Sequence, residues 1–324
     1  MFVVFRSYWL TSLTNYVTLA NMTQQDMTQQ HMTQQQQQQL LATYFSTGQQ
    51  MEQIARNRPP ELINGFVPSS GVMVLAGAPG TGKSFTALSW AAAIAEGSQW
   101  FGRQTRKAPV VYVLGEGYSA FGERITAWKT TNGREIPEDL LFMDGATLGI
   151  DLKAPVEQLI GIFNLVKPGL IVFDTLSVLT RLTSENDNAE VSQVMANVHT
   201  IAQATGATAM VIHHTTKSTG SVRGASAFVG NADTVVVAAK EKNEGNAATS
   251  TFLLSTSAQH GGKQRSGEPK MMSGFSIAAP GVLAHGSSSN SGNSPTARKD
   301  PNDINVIMAA AKAVHEENKN KENK

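Results

Sequence analysis

The 324-residue chain has no cysteine, which excludes disulfides, thiolate metal sites and cysteine nucleophiles together. It also has almost no net charge, because 26 Lys and Arg stand against 25 Asp and Glu to give +1. A surface for a polyanion must therefore be local. Long apolar runs are missing as well. The first 21 residues are apolar in places (Phe2 to Phe5, Tyr8 to Leu10), but Arg6, Ser7, Thr11, Ser12 and Asn15 interrupt them. No stretch approaches the roughly 18 apolar residues of a membrane helix. The segment reads as a frayed leader or an over-long start, with Met22, Met27, Met32 and Met51 as later starts. The expectation is a cytoplasmic protein, bacterial or in a host cell, without a membrane partner.

What is present is 41% hydrophobic, ordinary for one large α/β domain or two small ones. Met-Thr-Gln-Gln recurs at Met22, Met27 and Met32 and runs into glutamines. Such a tract cannot bury enough apolar surface to offset its ordering entropy, so residues 1–39 read as a disordered leader. Residues 40–57 suit a short helix that Pro59 and Pro60 stop, and the lead-in extends to residue 70. From Gly71 the pattern becomes a cycle of short apolar runs and amphipathic segments. Val72–Ala76, Val110–Leu114, Leu170–Phe173, Thr208–Ile212, Thr234–Ala238 and Thr251–Leu254 read as strands. Lys83–Ala95, Ala120–Lys129, Pro155–Val166 and Ala189–Ala204 read as helices. Continuously apolar strands imply a sheet covered on both faces, hence a mostly parallel α/β domain over residues 71–285. Residues 286–324 form a Ser/Asn/Gly linker followed by one candidate helix, Asp303–Glu317.

Between the first strand and the first helix lies Gly77-Ala78-Pro79-Gly80-Thr81-Gly82-Lys83-Ser84, followed by Phe85. This fits the Walker A pattern in its proper context. Glycines let successive N–H groups curl inward toward phosphate oxygens, and the helix N-terminus adds partial positive charge. Lys83 then serves the β and γ phosphates of ATP, and the Ser84 hydroxyl serves Mg²⁺. Leu170-Ile171-Val172-Phe173-Asp174 is an apolar strand ending in a carboxylate, the Walker B arrangement, with Asp174 as a second candidate for the Mg²⁺ shell. Thr175 follows it, so a water-orienting base must come from elsewhere. Glu116, just past the strand Val110–Leu114, is the candidate, because ligands of open α/β sheets sit at the carboxyl ends of the strands.

With these residues in place the chain resembles the RecA/DnaB superfamily of P-loop ATPases, and within it the plasmid RepA-type hexameric helicases and related phage ATPases. The resemblance covers about Glu61 to Ile277. In that superfamily the catalytic glutamate and the Walker B aspartate stand on different strands, as Glu116 and Asp174 do, whereas AAA+ proteins usually carry Asp-Glu together. The resemblance implies a RecA-like core and a γ-phosphate sensor at the end of Val211-Ile212-His213-His214, with His214 first choice. It implies a DNA-contacting loop over Thr215–Phe228, with Lys217 and Arg223 as phosphate partners and Phe228 as the only aromatic. Lys263-Gln264-Arg265 resembles the pair that such oligomers insert into a neighbour's ATP site, making Lys263 and Arg265 trans-acting finger candidates. The family's usual basic residue earlier on that strand is replaced here by Ser255, Thr256 and Ser257.

The functional expectation is an ATP-hydrolysing, DNA-dependent motor, a replicative helicase of a plasmid, phage or prophage. It would work on single-stranded DNA as a homo-oligomeric ring or filament, alongside other replication or recombination proteins. Two alternatives stay open, a recombination or strand-annealing ATPase and an ATP-operated binding switch. A small-molecule kinase fits less well, because no arginine-rich lid is visible.

Overall fold

The computed structural model describes residues 34–115, 117–146, 148–149, 153–180, 183–184, 187–214, 227–241, 251–264, 268–279 and 282–285. They fall into two compact units, divided between Arg58 and Pro59. The described residues of the first form two helices, α1 (Gln34–Tyr44) and α2 (Gly48–Arg56). Thr47 caps α2 reciprocally: its hydroxyl accepts from Gln50 N–H at 3.2 Å, while the Gln50 amide oxygen accepts from Thr47 N–H at 2.7 Å. The glutamine run departs from expectation here, since Gln34 to Gln39 are helical. A composition that cannot build a core can still favour helix, because glutamine gives up little rotamer freedom there.

In the second unit the elements are β1 (Gly71–Gly77), α3 (Lys83–Glu96), β2 (Val110–Leu114), α4 (Tyr118–Asn132), β3 (Leu140–Asp144), α5 (Lys153–Val166) and β4 (Leu170–Asp174). They continue with α6 (Leu176–Leu179), α7 (Asn188–Thr205), β5 (Thr208–His214), α8 (Ala227–Asn231), β6 (Thr234–Lys240), β7 (Phe252–Ser255), β8 (Lys263–Gln264), β9 (Met271–Ala279) and β10 (Val282–His285). One sheet runs in the order β10-β9-β7-β6-β1-β5-β4-β2-β3, with β8 pairing β6. From β6 to β3 all pairs are parallel, whereas β7, β8, β9 and β10 join antiparallel.

Alternate residues of each central strand feed two different cores, which is why those strands read as unbroken apolar runs. Met73, Leu75, Val110, Tyr112, Leu114, Leu170 and Val172 pack with α3 and α4 on one face. Val72, Val74, Val111, Val113, Ile171 and Phe173 pack with α5, α6 and α7 on the other. On α7 the buried positions Val191, Val194, Met195, Val198, Ile201 and Ala202 recur at helical spacing, forming the stripe that covers the sheet. Each large side chain buried this way contributes about 1.5–3 kcal/mol. The unit also begins earlier than residue 71, because Leu62, Ile63, Phe66 and Val67 are buried within it.

Candidate nucleotide-binding site

Parallel strands deliver their carboxyl ends to one edge. β1 ends at Gly77, and a Cβ there would lie 2.6 Å from both the Ala238 carbonyl oxygen and Thr81 Oγ1, so only glycine lets the chain turn so close to β6. Gly80 and Gly82 take positive φ, 77° and 72°, curling the loop into the first turn of α3. Thr81 Oγ1 donates to the Ala78 carbonyl at 2.8 Å and stiffens the curl. Lys83 is buried, and its ammonium donates to the Gly77 and Ala78 carbonyls at 2.9 and 3.1 Å. Burial lowers its pKa to about 8, while the charge of Asp174 acts in the opposite direction.

Asp174 closes β4 on the face shared with α3. The Tyr112 hydroxyl donates to Asp174 Oδ2 at 2.7 Å, and Ser84 lines the same cleft. Burial pushes the Asp174 carboxyl above its ordinary range, opposed by Tyr112, Ser84, Arg124 and Lys83 in that order. The Tyr112 hydroxyl is itself pushed up, first by burial and then by the Asp174 charge.

A cleft of about 530 Å³ opens over these groups, lined by Pro79, Gly80, Gly82, Lys83, Ser84, Phe85, Asp174, Thr175 and His214. Gly77, Ala78 and Thr81, expected with them, are not among the lining residues. Phe121 and Arg124 of α4 and Ile277 of β9 complete the walls. The Arg124 guanidinium lies 5.2 Å from the ring centres of both Phe85 and Phe121.

Glu116, Lys217, Arg223 and Arg265 lie outside the described residues, as do the candidate helix at 303–317 and residues 1–33. On either side of Glu116 in the sequence, Gly115 N–H donates to the Asp174 carbonyl at 2.7 Å, and Gly117 lines the cleft. Phe228, the only aromatic of the expected DNA loop, is buried and stacks on His213 with ring centres 4.0 Å apart. It is therefore a core residue and offers no platform for a base. Lys263 is held within its own chain, donating to the carbonyls of Val229, Gly230 and Ala232 at 2.9, 3.1 and 2.7 Å. Its expected reach into a neighbouring subunit would require these bonds to be released.

Sequence reasoning missed Tyr112 and Arg124. The signal for Tyr112 was a single hydroxyl in the otherwise apolar run VVYVL, since a buried tyrosine needs a partner. Arg124 falls three residues after Phe121 on α4, a spacing that puts both on one side of a helix.

A phosphate loop at the carboxyl edge of a parallel sheet, with helices on both faces, defines a P-loop ATPase of RecA-like fold. The AAA domain family model matches residues 36–220, more than half of the 324-residue chain, and the chain belongs to that family. Among solved structures, an ATPase domain superposes with a TM-score of 0.50 at 14% identity, covering 77% of this chain and 98% of that one. A KaiC-like protein from the hyperthermophilic archaeon Pyrococcus horikoshii OT3 gives a TM-score of 0.49 at 18% identity, covering 68% and 92%. No curated protein sequence matches the chain.

Proposed function

We propose that the protein is an ATP-hydrolysing motor that acts on single-stranded DNA as a homo-oligomeric ring or filament, in the role of a RepA-type replicative helicase of a plasmid, phage or prophage. The observation that carries the ATPase part is the convergence of Lys83, Ser84, Asp174 and His214 on one cleft. The motor part rests on the pattern of Glu116 and Asp174 on separate strands and on the basic segments around Lys217, Arg223 and Arg265. Among the described residues no helix is long and apolar enough to cross a membrane, which is compatible with work in the cytoplasm.

The donor set fits magnesium. Asp174 and Ser84 offer a carboxylate and a hydroxyl on the wall of one cleft, the hard oxygen ligands this ion prefers beside phosphates. They would hold Mg²⁺, which would supply positive charge beside the phosphate oxygens of the nucleotide. Lys83 would transfer its donors from the Gly77 and Ala78 carbonyls to the triphosphate. Arg124 brings a further positive charge to the same cleft. Glu116 would orient the attacking water, and His214 would register the terminal phosphate. Arg265, from a neighbouring subunit, would stabilise charge developing on the transferred group.

The deciding experiment measures ATP hydrolysis with and without single-stranded DNA, together with mass in solution and ATP-dependent strand separation, using Lys83→Ala as control. DNA-stimulated turnover and unwinding that vanish in the control support the proposal. Annealing without unwinding would favour a recombination ATPase. Stoichiometric nucleotide binding with no DNA-stimulated turnover would leave a binding switch. Folded protein that fails to retain ATP with magnesium would sink the reading altogether.

A further inference from the structure

Within the run VVYVL of β2, four side chains are hydrocarbon and the fifth carries a phenol. Tyr112 is fully buried, with its ring centre 5.3 Å from that of Phe121 and 5.9 Å from that of Phe142. Two flanking rings leave the phenol little rotational freedom. β2 and β4 pair in parallel register, Tyr112 opposite Val172 and Leu114 opposite Asp174. Tyr112 and Asp174 therefore share a sheet face, and the long tyrosine side chain reaches across one strand and two residues along it.

The hydroxyl has two oxygens within reach. The Ser84 carbonyl lies at 3.4 Å, near the limit of a useful bond, whereas Asp174 Oδ2 lies at 2.7 Å, the favoured length for an O–H···O bond. The proton therefore points at the carboxylate. A core tyrosine needing only a partner could have used any strand-end carbonyl. This one spends its proton on the carboxylate that ends the Walker B strand and lines the cleft together with Ser84.

We propose that Tyr112 is a positioning residue for magnesium: its hydroxyl, donated to Asp174 Oδ2, fixes the carboxylate in the orientation in which Asp174 and Ser84 receive the ion. This rests on the nucleotide-site reading above. Tyr112 touches neither nucleotide nor metal in this role, and acts through Asp174 alone. Outer partners that orient a metal-binding carboxylate characteristically contribute about 10- to 100-fold in metal affinity.

The test uses the full chain, a fluorescent ATP analogue and a titration with magnesium chloride, on wild type, Tyr112→Phe, Asp174→Asn and the double variant. Thermal denaturation is measured in parallel. Tyr112→Phe keeps both flanking ring contacts and removes only the hydroxyl. The expected result is unchanged nucleotide affinity without magnesium, a half-saturating magnesium concentration about tenfold higher, and no further shift when Tyr112→Phe is added to Asp174→Asn. An unchanged magnesium requirement overturns the proposal. So does a loss of affinity that is equal with and without magnesium and accompanied by a lower Tm, because that marks a purely structural tyrosine. So does an additive effect in the double variant. If wild type itself binds no nucleotide with magnesium, the site reading fails first and takes this proposal with it, a result distinct from a wild type that binds and a variant that does not differ.

Discussion

Gly77, the last residue of β1, pairs in register with His214, the last residue of β5. The phosphate loop and the histidine therefore leave the same sheet edge side by side, and His214 lines the cleft with Lys83 and Asp174. A side chain placed there can make one hydrogen bond to a terminal phosphate without helping to hold the rest of the nucleotide. His214→Ala should accordingly keep nucleotide binding and lower turnover about 10- to 100-fold, the effect of one hydrogen bond to a charged group. Binding by fluorescence and steady-state hydrolysis measure the two quantities separately. Equal turnover in variant and wild type would remove His214 from the mechanism.

Gly82 is constrained twice. Its φ is 72°, and a Cβ would lie 2.8 Å from the Phe252 ring of β7. Gly80 carries only the first constraint, with φ 77° and nothing within 4 Å of its Cβ direction. Both alanine variants suffer the left-handed backbone cost of about 1–2 kcal/mol, but only Gly82→Ala must also displace a ring. Melting curves should therefore rank Gly82→Ala below Gly80→Ala, and nucleotide affinity should follow. Identical melting temperatures would mean that the Phe252 contact gives way freely.

These two glycines also mark what could be read from the residues alone. The phosphate loop is local in sequence, so its flanking strand, its turn and its helix were all visible around Lys83. β1, β2, β4 and β5 were equally plain, because a strand buried on both faces is a continuous apolar run. β3 was not read as a strand. It is the sheet edge, where Leu141 is exposed and Phe142 and Met143 only half-buried, so Leu140–Asp144 carries no clear period. β9 hid for another reason, since Ser273, Gly274 and Ser276 interrupt its apolar residues and Gly274 takes φ 81°. The link between Tyr112 and Asp174 joins residues 62 positions apart, and only strand order and register bring them together. The carbonyl partners of Lys263 are hidden for a related reason, since they stand 31 to 34 positions earlier in the chain.

His285 gives a pH dependence whose sign can be worked out. It ends β10 against the rings of Phe275 and Phe101, and burial lowers its pKa below the ordinary 6.5, outweighing a backbone hydrogen bond to Ser273 and the charge of Glu241. Between the lowered folded value and 6.5 the unfolded chain binds more protons than the folded one, so this group adds stability above pH 6.5 and loses it as the pH falls below. Wild type should melt progressively earlier as the pH drops from about 7 toward 5, and His285→Gln should show a shallower slope. Parallel slopes would show that other groups set the acid limit.

Glu116 follows Gly115, whose N–H is bonded to the Asp174 carbonyl, and precedes Gly117 on the wall of the cleft. If it orients water, Glu116→Gln keeps the shape and removes the base. Nucleotide affinity should persist while hydrolysis falls by about 10²- to 10⁴-fold, the range for a lost general base. Single-turnover hydrolysis, which separates chemistry from product release, is the measurement to use. Turnover at the wild-type rate would reject the assignment and require another residue to activate the water.

Lys263 and Arg265 stand two residues apart, yet the bonds of Lys263 predict different behaviour for them. The Lys263 ammonium ties β8 to the carbonyls of Val229, Gly230 and Ala232 at the end of α8. Removing it leaves part-buried carbonyls short of a donor, so Lys263→Met should lower stability by about 1–3 kcal/mol whether the protein is monomeric or assembled. Arg265→Ala, if arginine is the trans-acting finger, should leave the melting temperature unchanged and lower turnover by about 10³-fold or more. Mixing Arg265→Ala with Lys83→Ala subunits supplies the decisive comparison. One subunit then carries an intact phosphate loop and its neighbour an intact arginine, so a mixed assembly should recover part of the activity that neither variant has alone. No recovery in a demonstrably mixed oligomer would show that Arg265 does not act across a subunit boundary. Lost stability in Lys263→Met would still assign that lysine to its own fold.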